Sequence, residues 1–343
     1  PKMRFSIEHF KDIGKIKWNR LVEKFNGPSH LLTWQNINYQ SAFKNIRNIS
    51  FSVLDHNDTV ALVALAINKS NISKTFSFGN NLTPHPIFSN KVNYSLRKKI
   101  YEFIFDFIKQ LAKKNKIKQI NFVSHPIHFY DGKANLESKN QFEFIMFSSN
   151  YLVHNTLINK LSYFSKDQLF SQLSKYHKKN INKIKKKKLI FKTINFKTEK
   201  NEIEHHFKNL KKYHFKSAKR KTRPEKTWNI MLKQIIDNEA DLFCLIYDTT
   251  PISYLYCGRY KNFAWGWSQV NLEKYEKEFM PRHLLEWEVM MHYKKNKLDF
   301  YEIGERYFAQ EKFKPTKKEL LISEFKEKFG SDRFPKVFFN LEI

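Results

Sequence analysis

At 343 residues, 41% hydrophobic and 16% aromatic, the chain has material for more than one core. Scarce Gly (8) and Pro (10) exclude collagen-like and low-complexity classes, and no apolar run approaches the roughly 18–20 residues of a membrane-crossing helix. The formal charge of +29 suits phosphate-rich partners such as tRNA, nucleotides or anionic membrane, but the accompanying Asn, Ile and Phe are also what an AT-rich genome favours beside Lys, so charge alone decides nothing.

The opening "PKMRFSIEHF" lacks a signal peptide's apolar stretch, and the expectation is a soluble, cytoplasmic protein. In "ISFSVLDHNDTVALVALAI" (49–67) two β-rich runs flank "DHND", which is hairpin chemistry. "FSFGNNLTPHPIF" (76–88) reads as a loop. Ile100, Phe103, Ile104, Phe107, Ile108 and Leu111 then recur at helical spacing, and "KIKQINFVSH" (116–125) reads as a strand. Within 165–191, Leu169, Leu173, Ile181 and Ile184 follow a roughly helical period ahead of the run Lys185 to Lys188. That run is either a solvated basic face or a phosphate-binding rim.

The second half repeats the order of the first. "ADLFCLIYDTTPISYLYCGRY" (240–260) is a hairpin turning at "DTTP", "FAWGWSQV" (263–270) a strand and "NLEKYEKEF" a loop. A helix is predicted from about Pro281, a favoured first-turn residue, to about Lys295, and "KLDFYEIG" (297–304) closes the unit as a strand. Cys244 and Cys257 lie in apolar strand-like runs without zinc or disulfide spacing. The 13 histidines are scattered, the adjacent pair His205 and His206 would diverge on a helix, and no metal site is expected.

Hairpin, strand, helix, strand is the order of the Gcn5-related N-acetyltransferase (GNAT) fold. Two such units in tandem resemble the Fem family of bacterial aminoacyl- and acyltransferases. The likeness is densest in "SKYHKKNINKIKKK", in "YHFKSAKRKTRPEKTW" (213–228), and in "MPRHLLEWEVMMHYKKNKLDFYEIGE" with the later "ISEFKEKFG" (322–330). It implies an α/β (α+β) fold of two GNAT-like domains, each a mixed sheet flanked by helices. The expected domains are 1–160 and 161–343, with segment 320–343 a candidate to pack back on the first. It further implies amide formation between an activated acyl group and an amine of a cell-envelope precursor, peptidoglycan or a surface-polysaccharide amino sugar. No cofactor would be resident. The donor would be aminoacyl-tRNA or acyl-CoA, and the acceptor an anionic nucleotide- or lipid-linked sugar, with peripheral contact at the inner face of the membrane. An acyl-CoA-dependent amino-sugar N-acyltransferase and a non-catalytic RNA-binding module are the alternatives.

Amide formation needs a base for the ammonium, donors for the developing oxyanion and a clamp for the donor's phosphates. In a GNAT-like unit the site opens where the fourth and fifth strands separate, here "FAWGWSQV" and "LDFYEIGE". Strict alternation puts Phe300, Glu302 and Gly304 on one face. Glu302, a carboxylate at the end of a core strand, is the first candidate base, with pairing to a nearby Lys as the structural alternative. Glu305 lies beside it, expected to pair with Arg306, and His283 and Tyr301 are further proton-transfer candidates. The helix start at Met280 to His283 is where GNAT proteins hold pyrophosphate; it lacks their glycines, and Pro281 removes an amide, leaving Arg282 as the charge for donor phosphate. "PIFSNKVNYSLRKK" in the first half lacks glycines too. His214, Arg220, Arg223 and Trp228 are candidates for an anionic substrate, with a basic surface loop as the alternative. Trp267, with Trp265, is either core or substrate wall, and Arg306 and Lys326 could reach the cleft. The working site is expected in the second half, because the first half's equivalent, "NFVSHPIHF", offers only His125 and His128.

Overall fold

The computed structural model describes residues 5–70, 74–80, 82–136, 143–147 and 150–343. It divides into two compact units, one formed by Pro1–Val153 with Pro335–Ile343 and the other by His154–Phe334.

The first unit begins with β1 (Phe5–His9), α1 (Phe10–Ile13), α2 (Lys15–Lys24), β2 (Phe25–Asn26), α3 (Trp34–Ser41) and β3 (Ile46–Asn48). The predicted hairpin follows as β4 (Phe51–Asp55) and β5 (Asp58–Val63), then β6 (Ala66–Asn68) and β7 (Thr75–Phe76). The stretch expected to be a loop carries three short strands: β7, β8 (Thr83–Pro84) and β9 (Ile87–Ser89). After α4 (Tyr94–Asn115) come β10 (Gln119–Ser124), β11 (Ile127–Tyr130) and β12 (Lys133–Leu136). One sheet runs β1-β4-β5-β9-β2. In the other, β10 pairs in parallel with β7 and β8, and antiparallel with the C-terminal residues from Val337 to Glu342. The predicted stripe of α4 is its core face. Ile100, Ile104 and Ile108 are fully buried, with Phe103, Phe107 and Leu111 packed at the margin. Each isoleucine contributes about 1.5–3 kcal/mol of apolar burial.

A break between β8 and β9 shapes this unit. The His85 amide makes the last bond to β10, at the Val123 carbonyl (3.1 Å), and Pro86 has no N–H with which to continue the ladder. Ile87 and Phe88 pair instead with Leu62 and Ala61 of β5. The chain thus leaves one strand for another at His85–Pro86, opening a gap beside the end of β10.

The second unit contains β13 (Asn150–Lys160, from His154 onward), α5 (Lys166–Gln172), α6 (Lys175–Lys185), β14 (Ile190–Ile194), α7 (Lys200–Ala218) and α8 (Glu225–Ile236). The hairpin β15 (Ala240–Tyr247) and β16 (Thr250–Tyr260) turns where expected, and β17 (Phe263–Asn271) follows. Next come α9 (Glu273–Phe279), α10 (Pro281–Lys295), β18 (Phe300–Arg306) and α11 (Lys317–Glu327). The sheet order is β14-β15-β16-β17-β18-β13, antiparallel except where β17 meets β18. "NLEKYEKEF" is mostly helix rather than loop, because Tyr275 and Phe279, one turn apart, stack (5.6 Å) and pack on the core. The basic 165–191 segment is two helices, not one. The chain turns at Leu173, and Ser174 caps α6 by accepting from the His177 amide. All four of its predicted apolar positions are buried, and Lys185 to Lys188 are exposed. Helix α10 is buried on nearly all sides, between α6 and the sheet.

Candidate active site

The parallel pairing of β17 with β18 lasts for only three residue pairs: Phe263 with Phe300, Ala264 with Tyr301, and Trp265 with Glu302. Beyond Trp265, β17 stays with β16 as far as Asn271, while β18 stays with β13. The two strands therefore part at Glu302. Strict alternation through Gly304 does not hold, because a bulge sets Leu157 opposite Gly304 and Ile158 opposite Glu302, leaving Ile303 extra. Gly304 has φ +149°, a conformation that disfavours a side chain.

Glu302, half-buried, accepts a short hydrogen bond from the buried Thr156 hydroxyl of β13. Behind it the fully buried Tyr301 donates its hydroxyl proton to Glu286 of α10 (2.5 Å). Burial pushes the Glu286 carboxyl up to about 7, against the Tyr301 hydrogen bond and the charge of Lys326, which favour ionisation. The Tyr301 hydroxyl itself is held well above its usual range by burial. Two glycines make room here. A Cβ on Gly266 of β17 would lie 3.0 Å from the Tyr301 hydroxyl, and one on Gly304 would lie 2.3 Å from Lys326 Nζ. The Lys326 side chain therefore lies across β18 where the strands separate. Glu302 thus stands with Thr156 where the strands part, while the Tyr301–Glu286 pair is buried behind β18 and Lys326 crosses the strand at Gly304.

The remaining predicted residues fall into separate groups. His283 is buried, edge-on to His177 (4.7 Å) and Phe325 (4.9 Å), its Nδ1 facing the Met280 carbonyl; burial pulls its pKa down to about 4. Arg282 pairs with Glu276 of α9 and lies over Phe325. The expected pairing of Glu305 with Arg306 gives way to other partners. Arg306 Nε donates to Glu327 of α11 (2.7 Å) and its guanidinium covers Phe308 (4.4 Å), while Glu305 accepts from the Tyr307 hydroxyl. Helix α11 docks beside β18 and brings Glu327 within reach, which a short sequence window does not reveal.

On α7, His214 Nε2 meets the buried Ser268 hydroxyl of β17 (2.6 Å), and burial lowers the His214 pKa to about 4. Arg223 covers the Trp228 ring (4.7 Å) and reaches Met231 Sδ (3.1 Å). Trp228 is buried, so its ring packs in the protein instead of offering a stacking face. Arg220 is exposed beyond the end of α7. Trp267 and Trp265 are half-buried neighbours (6.4 Å), and Trp265 lies on Gly258, where a Cβ would strike its ring. Among the described residues no cluster of His, Cys, Asp or Glu has the arrangement of a metal site. No described helix is long and apolar enough to cross a membrane.

Sequence reasoning missed Glu286 and Thr156. Glu286 did leave a trace, as a carboxylate set directly between the bulky apolar Leu285 and Trp287. Thr156 left none, since its role depends on which strand pairs with β18.

No protein-family model matches the chain, and no curated protein matches it in sequence. Among solved structures it resembles FemX, with 11% identity over 98% of this chain and 97% of that one, and a TM-score of 0.67. L-PGS from Bacillus licheniformis is similar at 12% identity, covering 92% and 86% of the two chains with a TM-score of 0.58. A tandem GNAT protein from the clavulanic acid biosynthesis pathway matches at 10% identity over 98% of each chain, with a TM-score of 0.55. The fold is that of the Fem-like tandem GNAT proteins, α/β with mixed sheets.

Proposed function

We propose that the chain is an acyltransferase that forms an amide, and that it takes an aminoacyl group from a tRNA ester to an amine of a cell-envelope precursor. The parting of β17 from β18 over Glu302, Tyr301–Glu286 and Lys326 carries this reading. An amine enters as an ammonium ion, and Glu302 takes one of its protons. The freed lone pair attacks the ester carbonyl, the carbon–nitrogen bond forms, and Lys326 offsets the charge on the oxygen. The carbon–oxygen bond to the ribose then breaks as its oxygen takes the proton held by Glu302, and the nitrogen's remaining surplus proton passes to the freed Glu302 carboxylate and on to solvent, leaving a neutral amide. Tyr301 and Glu286 hold the floor of the gap and act as positioning residues. The likeness to FemX and L-PGS supports the reaction class through the shared fold.

Tightly held CoA is disfavoured at the start of α10. Pro281 removes an amide, no glycine precedes it, and Arg282 is engaged by Glu276. The net charge of +29 suits the polyanionic donor.

The test supplies purified protein with labelled aminoacyl-tRNA or with acyl-CoA, together with nucleotide-linked amino sugars and peptidoglycan precursors, and follows amide formation. Transfer from the tRNA ester, lost in Glu302→Gln, is the expected result. Transfer from acyl-CoA alone would replace the donor, and near-wild-type turnover in Glu302→Gln would remove Glu302 from the role of base.

A further inference from the structure

From His205 to Pro224 the chain carries eight Lys or Arg and no acidic residue. The acids flanking this stretch are engaged, Glu204 by Lys200 (3.8 Å) and Glu225 by Lys211, and Arg223 lies over Trp228. Lys208, Lys212, Lys216, Lys219, Arg220 and Lys221 remain, all exposed, and among the described residues none of them meets an acidic side chain. Lys208, Lys212 and Phe215 follow at i, i+4 and i+7 on the outer face of α7, with Lys216 beside them, and the other three cations extend the stripe past the end of the helix. Like charges one turn apart repel, and the helix dipole offsets that only in the last turn. A stripe kept in spite of this suits an anionic partner.

Helix α7 runs across the sheet toward the gap. Its Glu202 meets Lys192 of β14, its His206 meets the Tyr254 hydroxyl of β16 (2.8 Å), and its His214 meets Ser268 of β17 (2.6 Å). Register puts this helix on the same side of the sheet as Glu302. Trp265 pairs with both Gly258 and Glu302, Ser268 pairs with Tyr256, and positions 256 and 258 share a face. Tyr301 and Glu286 lie on the other face, with α10 and α6. The C-terminal end of the stripe therefore reaches the strand that opens over Glu302, whereas the second basic helix, α6, sits behind the sheet.

We propose that the outer face of α7 and its C-terminal turn hold the phosphate backbone of the RNA donor, with Phe215 as a stacking face for a base of its single-stranded 3′ end. This rests on the tRNA-ester reading above for the identity of the RNA. Lysines one helical turn apart, about 6 Å, set point charges in series along a strand, and phosphate contacts of this kind give affinity without sequence preference. Phe215 is 55% exposed, and any base has a face to stack on its ring. An anionic bilayer would need apolar area as well as charge, and among the described residues of the stripe Phe215 is the one large apolar side chain exposed.

Binding of unacylated tRNA to the full chain is measured by fluorescence anisotropy between about 50 and 200 mM salt. Wild type is compared with Lys212→Gln/Lys216→Gln/Lys219→Gln and with Lys175→Gln/Lys179→Gln/Lys183→Gln on α6, which removes equal charge. The α7 variant should bind at least about tenfold more weakly, its plot of log Kd against log salt less steep by about 2–3, while the α6 variant should lose less than about threefold. Phe215→Ala should weaken intact tRNA by about tenfold and leave tRNA without its single-stranded 3′ end unaffected. All these side chains are exposed, so melting temperatures should hold. Equal losses in the two lysine variants, or no salt-dependent binding of tRNA, overturn the proposal. So does an α7 variant that loses phosphatidylglycerol vesicles and keeps tRNA. Unacylated tRNA has no ester to transfer, so this outcome is separate from the transfer assay. Binding on α7 without transfer would leave the surface standing and remove the donor reading; transfer from the tRNA ester undiminished in the α7 variant would do the reverse.

Discussion

The two units each part their strands, but the gaps carry opposite chemistries. In the second unit Glu302 stands where the strands part, Lys326 crosses β18 at Gly304, and behind the strand lies the buried Glu286, bonded to Tyr301, with its pKa raised to about 7. In the first, the opening holds His85 and His128, both kept neutral by burial, beside an Arg97–Glu143 pair that cancels its own charge. One gap carries a carboxylate and a lysine, whereas the other is walled by neutral rings beside an ion pair. A repeated backbone geometry therefore does not imply a repeated function, because the side chains behind each gap set its electrostatics.

The widest separation between the gaps should appear in turnover. Glu302→Gln is expected to lower kcat by about 10²–10⁴-fold, the usual contribution of a general base, with the fold intact by circular dichroism. Loss of less than about tenfold would move the chemistry elsewhere.

Acid should act next, and chiefly through the histidines. His85 and His128 have folded pKa values near 4 and 3, below the 6.5 of a free ring. Their neutral forms favour the folded state, so their stability is whole above about pH 6.5 and is lost as pH falls toward 4 and 3. Each should cost about 2 kcal/mol between pH 6.5 and 5. Urea midpoints over that range would show it, and His128→Phe should flatten the profile.

Glu286 works in the opposite direction. Its folded pKa is raised from 4.5 to about 7, so the cost of ionising it is absent below 4.5 and complete above about 7. Glu286→Gln should therefore stabilise the protein by up to about 3 kcal/mol at pH 8 and by little at pH 4.5. An equal effect at both pH values would assign Glu286 a packing role instead. Gly304→Ala, where the positive φ and the overlying Lys326 meet an added methyl, should lower stability by about 1–3 kcal/mol, read from the urea midpoint.

Much of this was legible in the sequence. The hairpin at 240–260, the α4 stripe and the helix from Pro281 to Lys295 follow local periodicity and turn chemistry, and the structure has each where those signals put it. Helix α9 was missed because its acidic and lysine residues conceal only two core-facing aromatics, the partly buried Tyr275 and the buried Phe279. The bulge at Ile303 was missed because alternation carries no sign of an extra residue; it is imposed by pairing with β13. The candidate site was half legible. Glu302 could be named from the end of an apolar strand, whereas its Thr156 partner could not be.

The sequence by itself determined the repeated order of elements, since periodicity and turn residues act over a few neighbours. Only the tertiary structure decided which carboxyl is buried and which lysine crosses Gly304. Those properties depend on desolvation and on contacts between residues far apart in the chain, such as Thr156 with Glu302 and Tyr101 with Glu143.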